Sequence, residues 1–307
     1  MPRLDRQPSS PKLGRFFVLL SVFAAFLIIF LSVGLNRTGQ KNPAGSSAPT
    51  KTVFIASGHP EWAPIMYKYG DTIKGVGPDL VKKIFTDLNL PLEIKYMGTW
   101  DQVLEKAKTG EVDVLVGAYQ TKERLEYLGY SSTPFAEDPV SLFVAKNKKF
   151  VYNDWDSLLD KRGVAMIGDS YGQEFDDFIK TKSLNLKRAS SSKEAFDLVI
   201  NGKADYFIYS RYAGQKALAS SLPLSSKISV VPQDVTTEDF YLAISQKSPY
   251  FKYLAQVSKD LYEQKKSAYV NYLINKYSAM FFGNQIIQTS NTSKTKTKTN
   301  PNAKAVE

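Results

Sequence analysis

An arginine that follows a hydrophobic run is the first candidate for binding chemistry in this sequence. The run VDVLVGA ends at Gly117 and Ala118, and it is followed by Thr121 and Arg124. Small residues let a ligand approach the backbone, a threonine hydroxyl donates a hydrogen bond, and a guanidinium holds a carboxylate through two parallel bonds. The pattern indicates a site for a small anion, although a solvated surface charge is the alternative.

A second candidate site follows the predicted strand GVAMI. The residues Gly168-Asp169-Ser170-Tyr171-Gly172 connect that strand to a predicted helix. A helix N-terminus offers free N–H groups, and together with the Ser170 hydroxyl they suit an anion. An ordinary helix with Asp169 or Ser170 as its N-cap is the alternative.

Two tryptophans lie at predicted strand-to-helix junctions, where the walls of a cleft form. They are Trp62, in HPEWAPIM, and Trp100, which opens the helix before VDVLVGA. Core packing is the alternative for both, and it is the expectation for Trp155.

The composition excludes several kinds of catalytic and metal site. The chain has no cysteine and one histidine, His59. Disulfides, thiolate nucleophiles and Cys/His zinc sites are therefore excluded, and a Ser-His-Asp triad requires His59. We expect no metal, no cofactor and no catalytic residue.

A repeated pattern indicates how these residues are positioned. Residues 100–118 and 192–210 share one plan. In both, a predicted helix ends at a glycine (Gly110, Gly202), and an aspartate (Asp113, Asp205) precedes a buried-looking strand. Helices alternate with strands along the rest of the body as well, which favours an α/β fold with a largely parallel sheet. The sequence thus predicts two similar α/β lobes whose strand ends face one cleft, unless the repeat is a coincidence.

The N-terminal part of the chain predicts export. Residues 16–35 are twenty positions without a charge, enough for a helix that spans the hydrocarbon core. The basic segment 1–15 is expected on the cytoplasmic side. We expect an uncleaved membrane anchor or a cleaved signal sequence, followed by a flexible linker at 36–50.

The net charge of +10 does not indicate a nucleic-acid-binding protein. Residues 1–15 hold four basic residues against one acid, and residues 284–307 form a Lys/Thr-rich tail that is expected to be disordered. No compact basic run with interleaved aromatic residues occurs between them.

Two longer stretches carry a resemblance to a known family. GVGPDLVKKIF resembles G-F-x-x-D-L-x-x-x-[IL], and residues 99–135 resemble W-x-x-[LV]-I-x-x-L-x-x-G-x-x-D…T-x-x-R…[FY]-S-x-P-[FY], which are motifs of the family 3 solute-binding proteins. The resemblance implies a two-lobed, type II periplasmic-binding-protein-like fold with a double-crossover hinge. Lobe 1 is then formed by residues 51–145 and 240–283, and lobe 2 by residues 146–239.

The resemblance also implies a set of ligand-binding residues. Arg124 matches the arginine that binds the ligand α-carboxylate, and Thr121 opens the same turn. The other matching positions are Gly117 and Tyr119, which bind through backbone or hydroxyl groups, Trp62 and Trp100, which sandwich the ligand side chain, and Ser170 and Tyr171, which form the second-lobe carboxylate site.

The chain departs from the family pattern where an amino acid would place its ammonium group. Family members that bind amino acids usually have an acid at the end of the second-lobe strand, where this chain has Ser210. In the first strand loop, His59 replaces an acid seen in some members. Either another acid serves, with Glu61, Glu137 and Asp138 as candidates, or the ligand is a carboxylate without an α-amino group.

The sequence therefore predicts a solute-binding protein of the periplasm or cell exterior, held in the cytoplasmic membrane by residues 16–35. Its expected ligand is a small carboxylate, an amino acid or a related organic acid, delivered to an ABC-type permease. The alternatives are a membrane-anchored sensor for a signalling partner and a cyclic-acid dehydratase-like enzyme on the same fold.

Overall fold

The computed structural model of this chain describes residues 52–148 and 151–283. The predicted basic segment 1–15, the apolar segment 16–35, the linker 36–50 and the tail 284–307 lie outside those residues. Within the described part, no helix combines the length and the apolar character that crossing a membrane requires.

The described residues form strands and helices that alternate along the chain. The strands are β1 Phe54–Ser57, β2 Glu61–Trp62, β3 Met66–Tyr69, β4 Thr72–Lys74, β5 Leu92–Ile94, β6 Val114–Ala118, β7 Leu128–Tyr130, β8 Ala136–Ala145, β9 Gly163–Met166, β10 Leu186–Ala189, β11 Tyr206–Ser210, β12 Ile228–Val230 and β13 Thr236–Ser245. The α-helices are α1 Val76–Asp87, α2 Trp100–Thr109, α3 Lys122–Leu125, α4 Gln173–Lys182, α5 Ser192–Ile200, α6 Arg211–Ala219, α7 Leu222–Lys227, α8 Leu254–Lys266 and α9 Tyr269–Phe282.

Local sequence signals explain where the two repeated helices begin and end. Thr99 is the N-cap of α2, and its backbone N–H donates to Gln102 Oε1 at 3.1 Å. Ser191 caps α5 by accepting from the Glu194 N–H at 3.3 Å. Gly110 then ends α2 with a φ of 81°, a left-handed conformation that costs a glycine little.

The repeated aspartates have the same role in both halves of the molecule. Asp113 accepts a hydrogen bond from the Ile55 N–H at 2.7 Å, at the beginning of β1. Asp205 accepts one from the Arg162 N–H at 2.8 Å, immediately before β9. Asp113 precedes β6, which pairs in parallel with β1. Asp205 precedes β11, which pairs in parallel with β9. The duplicated pattern thus fixes the relative position of two parallel strands in each half.

Two long strands connect the halves of the sheet. The strand order is β10-β9-β11-β8-β13-β6-β1-β5. The first halves of β8 and β13 pair with each other in antiparallel orientation, and then β8 continues beside β11 while β13 continues beside β6. This is the expected two-lobed α/β fold with a double crossover, in which the outer strands of each lobe are parallel and the crossover strands are antiparallel.

Helix α1 packs closely on the central strand of lobe 1. It begins at Val76, two residues before Pro78, so the proline lies in the first turn. A proline is tolerated there because the first N–H groups of a helix have no intrahelical partner. A Cβ atom on Gly77 would lie 2.0 Å from the Val116 carbonyl oxygen, so only glycine allows this approach. Leu80 is fully buried against the sheet, a burial that stabilises the lobe by about 2 kcal/mol.

Candidate functional site

A small cavity lies where the strand ends of the two lobes meet. Its volume is about 20 Å³, which suits one water-sized group. The lining residues are His59, Trp62, Met66, Trp100, Gly117, Ala118, Tyr119, Arg124, Asp169, Ser170 and Phe240. Six of the predicted site residues are therefore brought together here, namely Trp62, Trp100, Gly117, Tyr119, Arg124 and Ser170. Thr121, Tyr171 and Ser210 do not line the cavity.

Arg124 is buried in the cleft without an acidic partner. Thr121 positions it by capping α3, since Thr121 Oγ1 accepts from the Arg124 N–H at 3.2 Å. The guanidinium donates to the carbonyl oxygens of Tyr119 at 3.2 Å and Gly168 at 3.1 Å, and its Cζ atom lies 5.4 Å from the centre of the Trp100 ring. Arg124 is buried, with only 5% of the residue exposed to solvent. Among the described residues it forms no ion pair; its hydrogen bonds go to backbone carbonyl oxygens, and Asp176 is an acid that interacts with its charge over a longer distance.

The two predicted aromatic walls enclose a histidine. The ring centres of His59 and Trp62 are 4.6 Å apart, and those of His59 and Trp100 are 5.6 Å apart. The imidazole thus occupies the space between the tryptophans. His59 Nδ1 accepts from the Glu61 N–H at 3.0 Å, which leaves the ring proton on Nε2 in the neutral form.

Asp169 crosses the cleft to meet that histidine. Its Oδ1 atom lies 3.2 Å from His59 Nε2, and the side chain is 0% exposed. Its Oδ2 atom is buried and has no hydrogen-bond partner in the described part of the chain. Sequence reasoning considered Asp169 only as a helix cap, and that expectation is wrong because the N-cap of α4 is Gly172. The feature of the sequence that could have indicated a binding role for Asp169 is an acid in a glycine-rich turn after a strand.

The N-terminus of α4 already holds a carboxylate from its own first turn. Asp176 accepts from the Ser170 hydroxyl at 2.5 Å and from the Tyr171 N–H at 3.0 Å. Burial raises the pKa of Asp176 above its ordinary value. Asp176 is therefore partly buried, although it lies on a helix. Tyr171 is fully buried in the core of lobe 2, where its hydroxyl accepts from the Met166 N–H at 3.1 Å.

Ser210 lies behind the cavity wall and binds an aspartate from the crossover strand. Its hydroxyl donates to Asp138 Oδ1 at 2.7 Å. Asp138 Oδ2 accepts from Trp62 Nε1 at 2.6 Å and from the Tyr119 hydroxyl. Burial raises the pKa of Asp138 to about 6, although these three donors act in the opposite direction. Of the three acids considered in place of Ser210, Asp138 is the one that contacts it.

A larger cavity of about 360 Å³ adjoins the small one and shares His59 and Trp100 with it. Its wall includes Glu61, which accepts a hydrogen bond from the Ser192 N–H at 2.9 Å across the cleft. The Tyr209 hydroxyl also donates to the Glu61 carbonyl oxygen, at 2.6 Å. The two lobes are therefore connected on both sides of His59.

Comparison with known proteins agrees with this architecture. The family model for bacterial extracellular solute-binding proteins, family 3, matches residues 55–280. No curated protein matches the chain significantly.

Several solved structures share the fold. A histidine kinase sensor domain with similarity to periplasmic binding proteins is 16% identical, with a TM-score of 0.64 over 73% of this chain and 95% of its own. An ancestral arginine-binding protein bound to arginine is 20% identical, with a TM-score of 0.63 over 74% and 98%. The arginine-, lysine-, histidine-binding protein ArtJ from Geobacillus stearothermophilus is 20% identical, with a TM-score of 0.61 over 73% and 94%. The family match covers most of the chain, and this protein belongs to the family 3 bacterial extracellular solute-binding proteins.

Proposed function

We propose that this protein captures a small carboxylate ligand, an amino acid or a related organic acid, outside the cytoplasm for an ABC-type uptake system. Membership in an extracellular solute-binding family supports a location in the periplasm or at the cell exterior. Residues 16–35 serve in this proposal as the membrane anchor.

Arg124 is the observation that carries the proposal. A buried cation without a direct ion pair is costly, because it has lost its hydration and has no opposite charge in contact with it. The guanidinium has five N–H donors, and its hydrogen bonds to Tyr119 and Gly168 use two of them. A ligand carboxylate supplies the missing charge and accepts the remaining bonds. Gly117 and Ser170 line the same cavity as Arg124, and Thr121 caps the helix that carries it.

The binding mechanism in this proposal is closure of the two lobes over the ligand. The cleft contains contacts that exist only when the lobes meet, such as Arg124 to Gly168 and the Lys122–Asp177 pair at 3.0 Å. A ligand held by residues of both lobes adds further contacts to the closed form and therefore shifts the population toward it. The adjoining cavity provides room for a ligand side chain after the cleft adjusts.

A sensory role is the second candidate, and it is favoured by the structural similarity to a histidine kinase sensor domain. The same ligand site then reports to a signalling partner. A dehydratase-like activity has less support. Such an activity needs a cleft carboxylate as general acid, but Glu61 is bonded to a backbone N–H and Glu174 does not line the small cavity.

Calorimetric titration with amino acids and small organic acids tests the ligand class. We expect Arg124→Lys, which keeps the charge but not the planar fork, to weaken binding, and Arg124→Met to weaken it by about a hundredfold or more. Arg162→Lys is the matched control, because Arg162 pairs with Asp205 on the surface of lobe 2. If Arg124→Met binds the best ligand as tightly as the wild type, the proposed carboxylate site is wrong.

Transport and sensing are separated by a cellular experiment with the ligand so identified. Uptake of that ligand is measured in cells with and without this gene. Loss of uptake supports the transport role, whereas unchanged uptake with a changed transcriptional response to the ligand supports the sensor.

A further inference from the structure

The free oxygen of Asp169 is unusual among the polar groups of the cleft. The carboxylate is fully buried, one of its oxygens meets His59 at 3.2 Å, and the other has no partner among the described residues. A buried carboxylate oxygen normally accepts hydrogen bonds, because leaving it unpaired costs the full free energy of its lost hydration. Such an atom on the wall of a ligand cavity indicates a group that the ligand satisfies.

The side chains around Asp169 do not donate a hydrogen bond to its free oxygen, Oδ2. The neutral ring of His59 contributes a hydrogen bond but no positive charge. Arg188 donates to the carbonyl oxygens of Met166, at 2.9 Å, and of Asp169 itself, at 3.3 Å, rather than to the carboxylate. Arg124 donates to the carbonyl oxygen of Gly168. Both guanidinium groups therefore hold the backbone of this turn and leave the Asp169 side chain available.

The positions of Arg124 and Asp169 suit a ligand with two opposite charges. Arg124 binds the carbonyl of Gly168, the residue that immediately precedes Asp169, so the cation and the anion line the same cavity from adjacent places. Trp62, Trp100 and Phe240 form much of the remaining wall, so the space between the two charges is bordered largely by apolar rings. Opposite charges interact strongly in such surroundings.

We propose that Asp169 determines ligand specificity by binding the ammonium group of an amino acid whose carboxylate is held by Arg124. This inference rests on the proposed function and narrows it to zwitterionic ligands. It also explains why an acid at the end of β11, where this chain has Ser210, is not needed. In this proposal the acid that binds the ammonium group is Asp169, in the turn after β9. Asp138 does not have this role, since it lies behind the wall and already accepts three hydrogen bonds.

The test compares amino acids with the carboxylic acids that lack only the α-amino group, such as L-alanine with propanoate. Affinities are measured by calorimetry for the wild type, Asp169→Asn and Asp205→Asn. We expect the wild type to prefer the amino acid by about tenfold or more, and Asp169→Asn to reduce that preference to about threefold or less. Asp205→Asn removes a carboxylate charge of lobe 2 that pairs with Arg162 and lines neither the small cavity nor the adjoining one, and we expect it to keep the preference.

The possible outcomes distinguish a failure of the Asp169 proposal from a failure of the proposed function. An unchanged preference in Asp169→Asn, or equal affinities in the wild type, overturns the role of Asp169 while the Arg124 result can still stand. Absence of binding by any acid in the wild type overturns the proposed function and this inference with it. Thermal unfolding without ligand measures whether Asp169→Asn is folded, and we expect this variant to be at least as stable as the wild type. Asp169→Ser answers the same question if the asparagine variant does not fold.

Discussion

Replacing Asp138 by asparagine tests how the hinge region responds to pH. Asp138 is 0% exposed and lies at the junction of both lobes, where Trp62, Tyr119 and Ser210 donate hydrogen bonds to it. Its pKa rises from 3.8 to about 6, because the loss of hydration opposes the charged form more strongly than the three donors favour it.

The raised pKa gives the pH dependence a definite sign. In the unfolded chain the carboxyl titrates at 3.8, so between about pH 4 and pH 6 the folded protein binds more protons than the unfolded one. The free energy of unfolding that this group contributes is therefore largest below about pH 4, falls as the pH rises to about 6, and is then level. A shift of about two pKa units corresponds to about 3 kcal/mol.

Urea unfolding of the wild type and Asp138→Asn from pH 4 to pH 7 measures this effect. We expect the stability of the variant relative to the wild type to increase by about 3 kcal/mol across that range, because asparagine does not titrate. Other acids with raised pKa values, such as Asp176, are present in both proteins and cancel in the difference. Asp160→Asn, at an exposed position, is the control and should give a constant difference. A constant difference for Asp138→Asn as well would show that its pKa is not raised.

Two further substitutions test the packing of lobe 1 and the contacts across the cleft. Gly77→Ala should destabilise the protein by about 1–3 kcal/mol in urea unfolding, since its Cβ atom would lie 2.0 Å from the Val116 carbonyl oxygen and α1 must move. Exposed Lys82→Ala on the same helix is its control, and equal stabilities of the two variants would contradict the close approach. Lys122→Ala removes the exposed pair with Asp177, so we expect an unfolding temperature within about 1 °C of the wild type. Ligand release, followed by stopped-flow fluorescence, should be faster in Lys122→Ala, and an unchanged rate would show that the pair does not hold the cleft closed.

Much of the fold is predictable because its signals are local. The caps Thr99 and Ser191 and the glycine at 110 are readable from neighbouring residues, and the structure has them at the ends of the repeated helices. The repeat of helix, glycine, aspartate and strand predicts two lobes, and the two aspartates tie equivalent strands. The cleft location of Arg124 follows from the same logic, since it comes directly after the end of a buried strand.

The remaining features depend on contacts between distant parts of the chain. His59 and Asp169 are separated by 110 positions, and Ser210 and Asp138 by 72. These pairs form only when two lobes and a crossover strand meet, so no spacing rule indicates them. The contacts of Asp176 are not predictable for a related reason, since an acid on a helix is expected to be exposed unless the turn before the helix folds back onto it. The roles of the site residues stay predictions until ligand binding is measured.

The bond from Arg124 to Gly168 has a kinetic consequence. It joins the lobes across a cavity of about 20 Å³, which is too small for an amino acid. Capture therefore begins from an open form, and self-closure of the empty protein competes with the incoming molecule. The apparent dissociation constant is then the intrinsic one divided by the open fraction. Release of a captured molecule is then a first-order process whose rate is limited by how often the two lobes separate. The residence time of the ligand therefore depends on the protein as much as on the ligand.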